Sequence, residues 1–209
     1  AVRNLEREGI TKGVYLVGDV MYDAVLQYAE AAERKSCILE RLRLEPKKYA
    51  LATVHRAENT DNPEHLQAIL LGLETISREE LPVVFPVHPR TRKQIQAFGV
   101  QVDHIRVVEP VSYLDMLVLE KHARVILTDS GGVQKEAFFF RVPCITLREE
   151  TEWVETVEKG WNILAGTNYE NITQAFDKII GQDFSQSPGT PFGGGKAAEA
   201  IIHLLIERL

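Results

Sequence analysis

Short runs of Val, Ile and Leu recur along the chain, and segments with helical periodicity separate them. Most of these runs show no alternation with polar residues, which is typical of parallel strands buried on both faces. The succession of strand and helix predicts an α/β fold with a doubly wound parallel sheet. The predicted strands are Val14–Val17, Tyr49–Val54, Val83–Val87, Ile105–Val108, Val125–Leu127, Cys144–Leu147 and Asn162–Ala165.

Capping residues mark the starts of two predicted helices. Asn62 provides an N-cap before Pro63 at the first helical position. Ser112 followed by Asp115 resembles a capping box. The first of these helices carries its apolar side chains on one face, at Leu66, Ile69, Leu70, Leu73 and Ile76. A last helix, Lys196–Arg208, has an apolar stripe at Ala197, Ile201, Leu204 and Leu205.

The beginning of the chain lacks the strand–helix alternation. The run Val14–Val17 has no neighbouring run to pair with, and a charged helical segment, Val20 to Leu44, follows it. Because a lone strand is not stable, we expect it to belong to a preceding domain. The predicted organisation is residues 1–18 as the tail of that domain, 19–45 as a linker helix, 46–195 as the doubly wound, Rossmann-like α/β domain and 196–209 as a C-terminal helix.

Composition narrows the class of partner. The formal net charge is −6 and there is no basic stripe, which argues against a nucleic-acid partner. The apolar runs are shorter than the roughly 20 residues that span a bilayer, so no membrane partner is expected. The first residue is Ala1 and no signal peptide follows, so we expect a fragment or a processed product. Cys144 reads as a buried free thiol, far from Cys37, which makes the cytoplasm the default compartment.

Polar and charged residues follow the predicted strands. In an open parallel sheet, ligands bind in the crevice at the carboxyl ends of the strands. The residues after successive strands are His55, Arg56, Glu58 and Asn59, then His88 and Arg90, then Glu109, then Thr128 to Gly132, and finally Arg148. We expect these side chains to converge on a site for a charged ligand. Neither a histidine pair at helical spacing nor a cysteine pair occurs, so no metal site is predicted.

Each of these residues also has a structural interpretation. Ser130 with Gly131 and Gly132 could simply cap the following helix, or the glycines could let a phosphate approach the helix N-terminus. Glu136 could be a solvated helix residue or a carboxylate that accepts two ribose hydroxyls. His55 alone is more often structural than catalytic, but Arg56 and Glu58 directly after it favour a site.

Four ordered motifs together resemble the non-hydrolysing UDP-N-acetylglucosamine 2-epimerases. They are Thr53 to Asn59, Pro86 to Pro89, Thr128 to Ala137 and Leu147 to Trp153, and the similarity extends over essentially the whole chain. The resemblance implies two Rossmann-like domains in the GT-B arrangement, with the UDP-sugar in the cleft between them. This chain looks like the second domain, without the first.

The resemblance also implies a reaction and roles for residues. The family inverts C2 of the sugar by eliminating UDP and adding it back, and it needs no cofactor. His55 is the implied catalytic residue, Ser130, Gly131 and Gly132 hold the diphosphate, and Glu136 holds the ribose. Further substrate-binding candidates are Arg56, Glu58, Asn59 and Arg148. Arg56 and His88 match positions that bind a second, activating UDP-GlcNAc in some bacterial members.

Two departures from the family pattern affect the choice of sugar. Many members have Arg followed by Pro where this chain has Trp153 and Val154, and Val111 and Met116 replace residues near the uracil. The Thr-Glu-Trp sequence resembles relatives that act on other UDP-2-acetamido sugars, including a 2,3-diacetamido glucuronate. The resemblance also implies a homodimer for the full-length protein and a role in cell-surface polysaccharide biosynthesis.

Other functions stay open at this point. A GT-B glycosyltransferase would use the same diphosphate cradle, but the His55 to Asn59 motif fits the epimerases better. A non-catalytic UDP-binding module is the third interpretation. We expect this chain alone to be inactive, because the main catalytic carboxylates of the family lie in the first domain.

Overall fold

The computed structural model of the chain describes residues 1–207 and contains one parallel sheet. Its six strands have the order β3-β2-β1-β4-β5-β6, and every pairing is parallel. The doubly wound fold predicted from the apolar runs is therefore confirmed. The strands are β1 (Ala50–Thr53), β2 (Val83–Pro86), β3 (Arg106–Val108), β4 (Val125–Thr128), β5 (Cys144–Thr146) and β6 (Asn162–Leu164).

The helices are α1 (Val2–Arg7), α2 (Val20–Lys35), α3 (Ile38–Arg41), α4 (Ala57–Thr60), α5 (Pro63–Glu79), α6 (Pro89–Ala97), α7 (Tyr113–His122), α8 (Gly131–Phe139), α9 (Val154–Glu158), α10 (Tyr169–Ile180) and α11 (Ala197–Ile206). Helices α4 to α9 lie between successive strands of the chain. Among the described residues, none of these helices has both the length and the hydrophobicity needed to cross a bilayer.

The described chain forms two compact units. One comprises residues 28–188 and includes the whole sheet, and the other combines residues 1–27 with the chain from Gly189 onward. Within the second unit, the carboxylate of Asp23 accepts the N–H groups of Ala197 and Ala198 at 3.0 and 2.7 Å. These contacts satisfy two of the N–H groups that the first turn of α11 leaves without a helical partner.

The predicted capping residues occupy the expected positions. Asn62 Oδ1 accepts the N–H groups of Glu64 and His65 at 3.0 and 3.3 Å at the start of α5. Ser112 Oγ accepts the N–H of Asp115 at 3.2 Å at the start of α7. The predicted apolar face of α5 is entirely buried, at Leu66, Ile69, Leu70, Leu73 and Ile76.

The prediction for the first 45 residues needs two corrections. Val14–Val17 is not a strand, because the described part of its compact unit contains no other strand with which it could pair. The predicted single linker helix is two helices, α2 and α3. Ser36 Oγ accepts the N–H of Ile38 at 3.2 Å, so a side chain replaces the helical carbonyl and the helix ends there. The last helix is α11, and its predicted end at Arg208 lies outside the described residues.

The two cysteines carry no disulfide. Cys144 is buried in β5 and Cys37 is exposed. Burial raises the pKa of the Cys144 thiol to about 12. The prediction that Cys144 is a buried free thiol is confirmed.

Replacing the cap of α5 tests how much this local contact contributes to the fold. We expect Asn62→Ala to lower the free energy of unfolding by about 1 kcal/mol, because two N–H groups lose their acceptor. Urea denaturation measures this change. Asn62→Ser is the matched control, since it keeps a capping oxygen and should stay close to the unsubstituted chain. Equal stability of all three would contradict the assignment of Asn62 as a stabilising cap.

Candidate active site

The carboxyl ends of β1 and β4 lie side by side where the strand order reverses. Thr53 pairs with Thr128 in the sheet register, and their Oγ1 atoms are 2.6 Å apart. Both side chains are buried. The segments that leave these two strands therefore start next to each other at the switch point of the sheet, where ligands bind in open α/β folds.

Asp129, directly after β4, holds the segment that follows β1. Its side chain is fully buried, and its two oxygens accept the N–H of His55 at 3.1 Å each. Oδ2 also accepts the N–H of Arg56 and the Nδ2 of Asn59, both at 3.0 Å. An ionised carboxylate offers only acceptors, so it suits this cluster of donors. The sequence analysis placed Asp129 at the end of this strand, in the Thr-Asp-Ser-Gly-Gly motif, but assigned it no role.

His55 and Asn59 have different environments. The His55 side chain is 46% exposed, and its Nδ1 lies 3.4 Å from Asp129 Oδ1. Asn59 is buried, and its Nδ2 also donates to the carbonyl of Leu147 at 3.0 Å. The imidazole of His55 is thus accessible to a ligand, whereas Asn59 joins the ends of β1, β4 and β5. Glu58, between them, is exposed.

Ser130 forms the N-cap of α8. Its Oγ accepts the N–H of Val133 at 3.4 Å, and its own N–H donates to Thr128 Oγ1 at 2.9 Å. The cap contact is long, and the first N–H groups of a helix have no carbonyl partner within it. The start of α8, at Gly131 and Gly132, is consequently suited to bind an anion at the switch point.

The segment after β5 packs against this turn. A Cβ atom added to Gly131 would lie 3.2 Å from Trp153 Nε1 and 3.4 Å from Glu152 Oε2. Glycine at this position therefore allows the close approach of the two segments. The Lys135 ammonium lies 4.1 Å from the centroid of the Trp153 ring, a cation–π contact.

Arg148 and Glu152 form a bidentate ion pair beside the turn at Ser130. Arg148 Nη1 and Nη2 each donate to one oxygen of Glu152 at 3.0 Å, and Arg56 Nη2 lies 3.7 Å from the same carboxylate. The hydrogen bonds from Arg148 lower the pKa of Glu152 to about 2. Glu152 was missed by the sequence analysis, which had no means of assigning a partner to Arg148.

Glu136 lies about one and a half turns into α8 and is largely buried. Its Oε1 accepts the hydroxyl of Tyr113 at 3.3 Å. Burial raises the pKa of Glu136, while the hydrogen bond from Tyr113 and the charge of Lys135 act in the opposite direction. The alternative interpretation of Glu136 as a solvated helix residue is therefore wrong.

His88 caps a helix at the end of the neighbouring strand, β2. Its Nδ1 accepts the N–H of Arg90 at 3.2 Å at the start of α6, and the ring is exposed. Thr91 Oγ1 donates to the carbonyl of Val54 at 2.7 Å, which ties α6 to the end of β1. Within the described residues, no group of three or more His, Cys, Asp or Glu side chains is arranged to hold a metal ion.

Comparison with known families identifies the relatives of this chain. A sequence model of the family described as UDP-N-acetylglucosamine 2-epimerase matches residues 1–206. The chain belongs to that family. The resemblance found in the four motifs is therefore confirmed, and the structural neighbours of this family member are GT-B UDP-GlcNAc 2-epimerases.

Curated relatives and solved structures match nearly the full chain. A UDP-N-acetylglucosamine 2-epimerase homolog of Methanococcus maripaludis is 46% identical over 97% of the chain and 57% of its own length. The UDP-2,3-diacetamido-2,3-dideoxy-D-glucuronate 2-epimerase of Pseudomonas aeruginosa is 41% identical over 98% of the chain and 57% of its own length. The UDP-GlcNAc 2-epimerase of Methanocaldococcus jannaschii, solved with UDP-GlcNAc and UDP, superposes with a TM-score of 0.88 at 42% identity, covering 98% and 58% of the two chains.

These matches cover a larger share of this chain than of its relatives. The chain spans somewhat more than half the length of the relatives that it matches. The site described above contains only residues of this chain, from the carboxyl ends of β1, β2, β4 and β5.

Removing the charge of Asp129 tests its role as the anchor of this site. Asp129→Asn places an amide N–H₂ among N–H donors, so we expect the free energy of unfolding to fall by about 1–3 kcal/mol. Chemical denaturation measures the loss. Asp177→Asn, an exposed change on α10, is the control and should alter stability by less than about 0.5 kcal/mol. Equal effects of the two substitutions would show that the donors around Asp129 do not depend on its charge.

Proposed function

We propose that this chain is the UDP-binding half of a UDP-N-acetylglucosamine 2-epimerase. The observation that carries the proposal is the start of α8, where Ser130 and two glycines lie at the switch point between β1 and β4. Relatives of 40–42% identity are named UDP-N-acetylglucosamine 2-epimerase, and one solved relative contains UDP-GlcNAc and UDP.

The diphosphate binds at the N-terminus of α8. The backbone N–H groups of Gly131 and Gly132 and the hydroxyl of Ser130 donate to its oxygens, and the helix dipole favours its charge. Arg148 and Arg56 flank this turn and supply positive charge. Since Arg148 already donates to Glu152, a bound phosphate either shares the guanidinium with this carboxylate or displaces it.

The ribose binds next to the diphosphate, further toward the C-terminal end of α8. Glu136, in its carboxylate form, accepts both ribose hydroxyls in the proposed complex. Its largely buried position favours this role, because hydrogen bonds to a carboxylate are stronger where water is excluded.

His55 acts at the leaving group. In the proposed reaction a base removes the C2 proton, the bond from C1 to the diphosphate oxygen breaks, and 2-acetamidoglucal and UDP form. UDP then adds back to C1 as a proton returns to the opposite face of C2. Asp129 holds the backbone of His55 and lies 3.4 Å from its Nδ1, so the imidazole is oriented for contact with the departing diphosphate.

The whole reaction needs more than this chain. The relatives are longer, and we propose that the carboxylates which act at C2 lie in the part of their length that this chain does not match. The chain alone should then bind UDP without turning over the sugar. UDP-N-acetylglucosamine is the proposed substrate. A UDP-2,3-diacetamido glucuronate is the second candidate, since a relative with that activity in its name is 41% identical.

The remaining proposals concern partners and location. Arg56 and His88 are proposed to bind a UDP-GlcNAc effector, because both lie at the carboxyl ends of adjacent strands, β1 and β2. The full-length protein is proposed to be a homodimer. A cytoplasmic location is proposed from the unpaired Cys37 and Cys144, since thiols persist in reducing compartments.

Calorimetry of UDP binding tests the diphosphate site. We expect Ser130→Tyr to abolish binding to this chain, because the ring fills the space in front of the α8 N-terminus. Ser187→Tyr, at an exposed position in the same compact unit, should bind UDP as the unsubstituted chain does. Equal binding by both variants would place the diphosphate elsewhere.

Hydrogen exchange at C2 tests the reaction class. An epimerase containing this chain together with the additional segment found in its relatives should incorporate deuterium from D₂O at C2 of UDP-GlcNAc, as NMR detects. A glycosyltransferase would transfer the sugar without such exchange. His55→Ala should lower kcat by roughly 10²-fold or more. His203→Ala, an exposed change on α11, is the control and should retain full activity.

A further inference from the structure

The carboxylate of Glu152 lies against the start of α8. A Cβ atom added to Gly131 would be 3.4 Å from Glu152 Oε2, so this oxygen is next to the first turn of the helix. Arg148 Nη1 and Nη2 each donate to one oxygen of the carboxylate at 3.0 Å, and Arg56 Nη2 lies 3.7 Å from Oε1. Arginines beside a helix N-terminus are a setting in which proteins bind phosphate. Glu152 thus has the partners that the proposed function assigns to the diphosphate.

The two members of the ion pair differ in their access to solvent. The side chain of Arg148 is 7% exposed, whereas that of Glu152 is 50% exposed. A ligand that arrives from solvent therefore reaches the carboxylate before the guanidinium. A diphosphate bound to the N–H groups of Gly131 and Gly132 would also lie close to this carboxylate, and like charges at short distance repel each other. The carboxylate and the diphosphate should consequently exclude each other from this position.

The backbone on both sides of Glu152 is held by hydrogen bonds. Thr151 Oγ1 donates to Gln134 Oε1 in α8 at 2.6 Å and accepts the N–H of Trp153 at 3.0 Å. Thr156 Oγ1 donates to the carbonyl of Trp153 at 2.7 Å. Gln134 is fully buried, so the contact at Thr151 is anchored in the interior. The Glu152 side chain can therefore leave Arg148 by rotating about its own bonds, without a movement of the segment that carries it.

We propose that Glu152 is an affinity-determining residue that competes with the diphosphate for Arg148. Without nucleotide its carboxylate holds Arg148 and Arg56 at the start of α8. When the nucleotide binds, the carboxylate rotates away and both guanidinium groups turn to the phosphates. The inference rests on the proposed function, which places the diphosphate at this helix terminus. Because every bound nucleotide must displace a bidentate carboxylate, Glu152 weakens nucleotide binding and favours nucleotide release.

The sign of a substitution separates competition from a structural role. Glu152→Gln keeps the shape of the side chain and removes its charge, so we expect the affinity for UDP to rise roughly three- to tenfold. Uridine has no phosphate with which Glu152 could compete, and it should bind the chain and the variant equally. If Glu152 served only to orient Arg148, the same substitution would weaken the binding of UDP.

Calorimetric titrations of UDP and NMR titrations of uridine measure these affinities. Glu150→Gln is the matched control, since it removes the same charge from an exposed neighbour in the same segment. Exposed charges are screened at physiological salt, so this variant should change the affinity for UDP by less than about twofold. Glu152→Ala removes the competing group altogether and should also bind UDP more tightly than the unsubstituted chain.

Proton uptake during UDP binding reports the displacement independently. The hydrogen bonds from Arg148 lower the pKa of Glu152 to about 2. A carboxylate released beside phosphates should regain at least its ordinary pKa of 4.5. At about pH 5 the unsubstituted chain should then take up about a quarter of a proton more than Glu152→Gln. Calorimetry in two buffers that differ in ionisation enthalpy measures this difference, and equal uptake by the two proteins would contradict the release of Glu152.

The outcomes distinguish this inference from the proposed function. Tighter binding of UDP by both Glu152 variants, with uridine binding unchanged, supports the competition. Unchanged or weaker binding by Glu152→Gln, when the unsubstituted chain binds UDP, would overturn the inference while the proposed function stands. An equal gain in Glu150→Gln would overturn it as well, because net charge would then explain the effect. If neither the unsubstituted chain nor the Glu152 variants bind UDP, the proposed function fails and the inference fails with it.

Discussion

The buried carboxylate of Asp129 is the contact on which the geometry of the site depends. Parallel strands bring β1 and β4 together but leave the segments beyond them free to diverge, and backbone N–H groups there need acceptors. Asp129 accepts the N–H groups of His55 and Arg56 and the amide of Asn59. One side chain thus holds the segment after β1 in place and leaves the imidazole of His55 partly exposed.

The positive charge of the site has two sources, the arginines paired with Glu152 and the N-terminus of α8. Arg148 and Arg56 are both close to Glu152, whose pKa they lower, so the site carries cations that already have a partner. The N-terminus of α8 has no such countercharge built into its first turn. In the proposed complex, the diphosphate meets this helix terminus and two arginines held in place by a carboxylate that it can replace.

Carboxyls of the same chemical type take opposite protonation tendencies here because their surroundings differ. Glu152 is half exposed and bonded to Arg148, which favours its charged form. Glu136 is largely buried, and this burial raises its pKa. Environment, and not residue type, separates a carboxylate that positions an arginine from one suited to a ribose.

The chain sequence by itself determined the strands, the main caps and the family. Continuous apolar runs require burial on both faces, so the positions of the six strands followed from the sequence to within about two residues. Asn62 and Ser112 capped their helices because a cap is a local contact. Val14–Val17 shows the limit, since an apolar run becomes a strand only where a partner strand exists.

Tertiary structure alone decided which side chains meet. Asp129 bonds His55 from 74 positions away, and Asn59 reaches Leu147 across 88 positions. Periodicity along the chain carries no information about such pairs, because they depend on the order in which the strands lie in the sheet. For the same reason the partner of Arg148 and the anchor at Asp129 became visible only once the strands and helices were packed.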